Sequence, residues 1–147
     1  MSAPELTKVE MLEAKLAANR EARGKAEETQ YEADLEARIE LETEHGTIAA
    51  VKISGFKAGH PTRAYLRTPT SSEYKRYKAQ NFATANGKKS PVTPQQSQEQ
   101  LASSCWVYPA DKADQDAMLE AFPGLLTPIS MAALALAEGK TEETGKD

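Results

Sequence analysis

Residues 5–44 form a forty-residue stretch without proline, dominated by Ala, Glu, Lys, Arg and Leu. These are the strong helix formers. Glu21 with Lys25, and Asp34 with Arg38, are i,i+4 pairs of the supporting polarity. Pro4 stands where a first turn tolerates proline, and His45-Gly46 is a stop signal. The constraint lies in where the large apolar residues fall. Val9, Leu12 and Leu16 make one patch, and Tyr31, Leu35 and Ile39 make another. Between Leu16 and Tyr31 there is no large apolar side chain, and Gly24 sits in the gap. A coiled coil needs its seam sustained over several heptads. A helix this polar gains little from burial along its length. The expectation is a protruding arm, frayed near Gly24, that packs when a partner arrives. Val9, Leu12, Leu16, Tyr31 and Leu35 are its candidate contact residues. The competing reading is that they pack on the chain's own domain.

Charge is segregated along the 147 residues. Residues 5–44 carry six Lys/Arg against twelve Asp/Glu, residues 46–90 nine against one, and residues 99–147 three against nine. An acidic arm, a basic middle and an acidic C-terminal part can attract one another or steer separate partners. The basic middle interleaves aromatics with cations: Arg63, Tyr65, Arg67, then Tyr74, Lys75, Arg76, Tyr77 and Lys78. Arg63, Arg67, Arg76 and Lys78 are therefore candidate contacts too, to an acidic protein surface or to nucleic acid. Core packing competes for Tyr74 and Tyr77, which are spaced i,i+3.

After the arm the pattern changes. Residues 47–53 (TIAAVKI) are rich in β-branched side chains and read as a strand. Residues 54–61 (SGFKAGHP) read as a loop and 62–68 (TRAYLRT) as a second strand, a hairpin that must pack on helices. Thr70-Ser71-Ser72-Glu73 is a capping box opening a helix that turns Tyr74, Tyr77 and Phe82 inward. Residues 83–92 read as a polar loop. Thr93-Pro94-Gln95-Gln96 repeats the start signal for a helix running to about Tyr108, with Leu101, Ala102, Cys105 and Trp106 on one face. Asp111 caps a third helix with Met118, Leu119 and Phe122, broken by Pro123-Gly124. Thr127-Pro128 opens a fourth, with Ile129, Ala132, Ala133 and Leu136 inward. The fold class is α+β, helix-dominated: a long N-terminal helix, a two-stranded β-hairpin and about four short packed helices. The domain reading is an extended acidic arm over 1–46, a small α+β domain over 47–139, and a disordered tail over 140–147.

The residues offer little for catalysis. His45 and His60 belong to no metal-ligand spacing, and Cys105 shares an apolar helix face with Leu101 and Trp106. Ser103-Ser104 lack a nucleophile elbow, no Gly-rich phosphate loop occurs, and 85–89 (ANGKK) need be only a basic turn. The expectation is a protein that is not an enzyme and has no metal and no cofactor. The N-terminus shows no basic-then-apolar leader, no apolar run reaches spanning length, and a lone cysteine suits a reducing compartment. A soluble, cytoplasmic chain without a membrane partner is expected.

From Ile48 onward the chain resembles the tail assembly chaperone-like proteins of tailed phages and prophages. The resemblance rests on RTPTSSEYKRY (67–77), LASSCWVY (101–108), and the run from Leu119 to Gly139 (LEAFPGLLTPISMAALALAEG), and it covers about residues 48–139. It implies a non-catalytic assembly factor in a bacterial host's cytoplasm. Such a factor binds the tape-measure protein or tail subunits during tail building and leaves before the particle is finished. Two other readings stay open: a structural virion or interaction protein retained in an assembly, and a nucleic-acid-binding accessory protein. Oligomeric state is open.

Overall fold

The computed structural model describes residues 7–81 and 92–139. Pro4, Phe82, the polar loop over 83–91 with its turn at 85–89, and the tail over 140–147 lie outside the described residues. The chain is α+β and helix-dominated: a long N-terminal helix, a small antiparallel sheet, and four further short helices among the described residues.

Helix α1 (Lys8–His45) is one continuous α-helix of 38 residues, about 57 Å long at 1.5 Å per residue. Thr7 caps it, its hydroxyl accepting from the Glu10 N–H at 3.1 Å. Gly46, at φ 81°, ends it, a conformation that glycine adopts without strain. The helix runs unbroken through Gly24. One glycine costs about 1 kcal/mol in a helix interior, too little to break so long a run of good formers.

Two strands follow, β1 (Ile48–Lys52) and β2 (Arg63–Arg67), paired antiparallel with Ile48 opposite Arg67 and Lys52 opposite Arg63. A third strand, β3 (Trp106–Tyr108), joins the far side of β2. The two-stranded hairpin expected from sequence is thus a three-stranded sheet ordered β1-β2-β3. The expected helix to Tyr108 is corrected: helix α3 (Pro94–Cys105) stops at Cys105, and Trp106 is already extended at φ −74° and ψ 106°. Trp, Val and Tyr suit a pleated surface better than a helix, and the residue before a proline is pushed out of the α region. Gln115, itself buried, donates to the Trp106 and Pro109 carbonyls at 3.0 and 2.8 Å and so pins the start of β3 and the residue just past its end.

Both capping boxes form. At helix α2 (Ser71–Asn81) the Thr70 hydroxyl accepts from the Glu73 N–H, and Glu73 accepts from the Thr70 N–H at 2.8 Å. Thr93 and Gln96 repeat the exchange at α3, with Pro94 in the first turn. Helix α4 (Lys112–Ala121) follows Asp111, whose side chain makes no capping bond. Helix α5 (Leu126–Ala137) begins ahead of Thr127-Pro128 rather than after it, and a first turn tolerates that proline.

The strand period of two divides the core. Ala64 and Leu66 of β2 join Ile53, Tyr77, Leu101, Cys105, Trp106, Met118, Ile129 and Ala133 in one cluster on the short-helix side. Tyr65, also fully buried, points to the other face, where α1 lies. Tyr77, Leu101 and Trp106 are buried as expected, while Tyr74, Phe122 and Leu136 sit at the cluster margin, half-buried. The sheet is therefore the middle of three layers, with α1 above and α2, α3 and α5 below.

Candidate partner-binding arm

The two halves of α1 have different environments. From Gln30 onward it is docked on the sheet, and the contact is polar. Asp34 is fully buried. Its Oδ1 accepts from Gln30 Nε2 at 2.9 Å and the Tyr108 hydroxyl at 2.6 Å. Its Oδ2 accepts the Thr62 N–H at 2.7 Å and the Thr62 hydroxyl. The Tyr65 hydroxyl donates to the Asp34 main-chain carbonyl at 2.9 Å. One carboxylate thus ties α1 to β3 and to the lead-in of β2. The expected Asp34–Arg38 pair does not form. Asp34 turns to the sheet, and Arg38 pairs with Glu42 at 3.0 Å while lying over the Tyr65 ring. Burial, then the Asp34 charge, pushes the Tyr65 phenol up to about 12, and burial with the Asp34 hydrogen bond pushes the Tyr108 phenol higher still. Both remain neutral donors at ordinary pH.

Further toward the N-terminus the support is slighter. Residues 55–58 of the β1–β2 loop line a cleft with Ala22, Arg23 and Ala26 of α1, and Phe56 in that loop is buried. The gap in large side chains around Gly24 is where the loop comes up to the helix.

Residues 7–26 are exposed throughout. Val9, Leu12 and Leu16 are 62%, 54% and 45% exposed, and Met11 is exposed beside them. At about 3.6 residues per turn, Val9, Leu12 and Leu16 fall on the same side of α1 as Asp34 and Arg38. The apolar stripe continues the docked face past the edge of the domain.

The nine residues singled out from sequence do not form one site. Val9, Leu12 and Leu16 share the projecting stripe. Tyr31 is half-buried under the Arg63 guanidinium, 4.4 Å from its ring centre. Leu35 stands partly exposed on a flank of the docked half. Arg67 is engaged inside the fold, with two 2.9 Å bonds to the Glu73 carboxylate and one of 2.7 Å to the Ser104 carbonyl. That pairing, with the Thr70 N–H, holds the Glu73 carboxyl at about 2, and it raises Arg67 further above its already high range. Arg76 and Lys78 remain on the exposed side of α2, Lys78 over the Tyr74 ring and Arg76 at a groove shared with Gln100 and Lys112. Asp34, Thr62 and Tyr108 were not singled out from sequence.

Among the described residues no group of three or more His, Cys, Asp or Glu is placed to hold a metal, and no helix is long and apolar enough to cross a membrane. Burial lifts the Cys105 thiol to about 11, so it is not a thiolate nucleophile at neutral pH. Compared with protein-family models, curated proteins and solved structures, the chain matches none of them.

Proposed function

We propose that the chain is a non-catalytic assembly factor of the phage-tail type, which binds a helical segment of a tape-measure protein or tail subunit through the projecting half of α1. The observation that carries this reading is the Val9–Leu12–Leu16 stripe, exposed on an ordered helix and continuous with its docked face. Apolar residues at these spacings suit a partner helix laid alongside, with the anchors set at i, i+3 and i+7. The resemblance over 48–139 supplies the partner class.

The test is co-expression with a tape-measure protein followed by affinity capture. The double substitution Leu12→Asp with Leu16→Asp is expected to abolish capture while leaving the thermal melt unchanged, since neither side chain belongs to the core. Undiminished capture by a folded double variant refutes the arm as the binding element. A retained structural role is the second reading, because the same stripe could lock neighbours in a finished assembly. Stoichiometric presence in purified particles favours it over the chaperone. Nucleic-acid binding is the weakest reading, since three of its four candidate cations are already engaged inside the fold, Arg67 with Glu73 and Arg63 and Lys78 over the Tyr31 and Tyr74 rings.

A further inference from the structure

The acidic character of α1 is not spread along it. Residues 27–45 carry eight Asp/Glu against one Arg, whereas residues 8–26, the exposed half, carry five Lys/Arg against three Glu. Around the stripe the imbalance is sharper. At about 3.6 residues per turn, Lys8 and Lys15 stand on one flank of Val9, Leu12 and Leu16. Glu13 and Arg20 stand on the other flank, and Arg23 follows Leu16 along the stripe itself, at the cleft made with residues 55–58. Glu10 and Glu21 fall on the far side of the helix, where Glu21 pairs with Lys25 at 3.5 Å. Lys8, Lys15, Arg20 and Arg23 are all exposed, and none has an ion pair among the described residues. Four cations and one carboxylate therefore border the apolar stripe.

We propose that the segment held by the stripe is an acidic amphipathic helix of another protein, with apolar residues at i, i+3 and i+7 flanked by Asp and Glu. This rests on the arm being the binding element and adds the chemistry of what it binds. The other occupants of such a stripe meet obstacles. A second copy laid antiparallel overlaps all three apolar residues only when centred on Leu12. That register sets Lys8 against the other copy's Lys15, twice by symmetry, and Glu13 against Glu13. Laid parallel, the other copy's α1 runs along the docked face, which the sheet already occupies. An anionic membrane suits cations beside an apolar stripe, as does a duplex. Both are broad, however, and the domain stands out on the same face as the stripe, so a broad surface meets the domain first. A single helix, about 10 Å across, fits alongside the three turns from Val9 to Arg23. Its carboxylates then meet Lys8 and Lys15 along one flank and Arg20 and Arg23 at the inner end. Such pairs at a rim set partner choice and association rate more than affinity.

The test is an NMR titration of the isotope-labelled full chain with two designed helical peptides of about 20 residues. Both carry the same Leu stripe; one is flanked by Glu, the other by Lys. The Glu-flanked peptide is expected to bind about tenfold tighter or more at about 50 mM salt, moving amides of residues 8–26, with the gap narrowing at about 500 mM. Lys8→Glu with Lys15→Glu, both exposed and outside the core, is expected to invert the order while the thermal melt stays unchanged. Equal affinities overturn the proposal, as does a preference for the Lys-flanked peptide or one that survives the charge reversal. So does failure of either peptide to bind by about 1 mM. A stronger response of the arm amides to random-sequence DNA or to phosphatidylglycerol vesicles also overturns it. No tape-measure protein enters this titration, so its outcome is read apart from the capture experiment. Capture lost on Leu12→Asp with Leu16→Asp but untouched by Lys8→Glu with Lys15→Glu upholds the arm and overturns the acidic partner.

Discussion

Asp34 accepts hydrogen bonds from two main elements and from its own helix, all from uncharged donors. Deleting it strands the Thr62 N–H and the Tyr108 hydroxyl. Asp34→Ala is expected to lower unfolding free energy by about 2–4 kcal/mol, with Asp34→Asn costing less because one acceptor oxygen survives. Denaturant melts measure both. Glu73 serves the capping box and Arg67 at once. Its folded-state value, about 2, lies below the ordinary 4.5, so it contributes stability above that ordinary value. The contribution is lost as pH falls from 4.5 toward 2. Glu73→Gln should therefore cost about 1–2 kcal/mol near neutrality and nothing once the wild-type carboxyl is protonated. A mutant deficit that persists below that range would contradict it. Glu73 was legible as a cap because its partner is three residues away. Asp34 was not, since one acid among twelve in 5–44 is distinguished only by donors twenty-eight and seventy-four residues distant.

Elements followed the same rule. Both capping boxes announced their helices, and β-branched runs announced β1 and β2. The strand β3 stayed hidden because nothing in LASSCWVY marks where helix ends and strand begins. Three residues are too few to show a period, and what selects the strand is pairing to β2, some forty residues earlier. Trp106 sits at that junction, buried, with its indole N–H bonded to the Tyr108 carbonyl at 2.6 Å. Trp106→Ala is expected to cost about 3–5 kcal/mol, read as a lowered melting transition. Thr93→Ala removes a cap only and should cost about 1 kcal/mol by the same measurement. For α1 the length was plain from composition, but its docking was not. A helix is usually expected to dock by an apolar stripe, and this one does so by a carboxylate and by ring contacts at Tyr31 and Tyr65.

At the scale of the molecule, the three layers have unequal cohesion. The lower one is an apolar cluster, whereas α1 is held on top by hydrogen bonds and a few ring contacts. Hydrogen exchange should grade accordingly. Amides of α1 before Ala22 exchange fastest, those from Gln30 to Leu41 at an intermediate rate, and those of β2 and α3 slowest. In Asp34→Ala the intermediate class should collapse onto the fastest while β2 keeps its protection. Uniform loss across all three classes would mean that the layers unfold as one unit.

Cys105 gives this ranking a chemical readout. It is the sole cysteine, it lies in the lower layer against the sheet, and its thiol is both covered and protonated at neutral pH. A thiol reagent reaches it only while α3 is away from β2. The labelling rate therefore counts those excursions directly, as a clock built into the chain. Because β3 continues straight from α3, anything that steadies the sheet should slow the clock, and peeling α1 away alone should leave it unchanged.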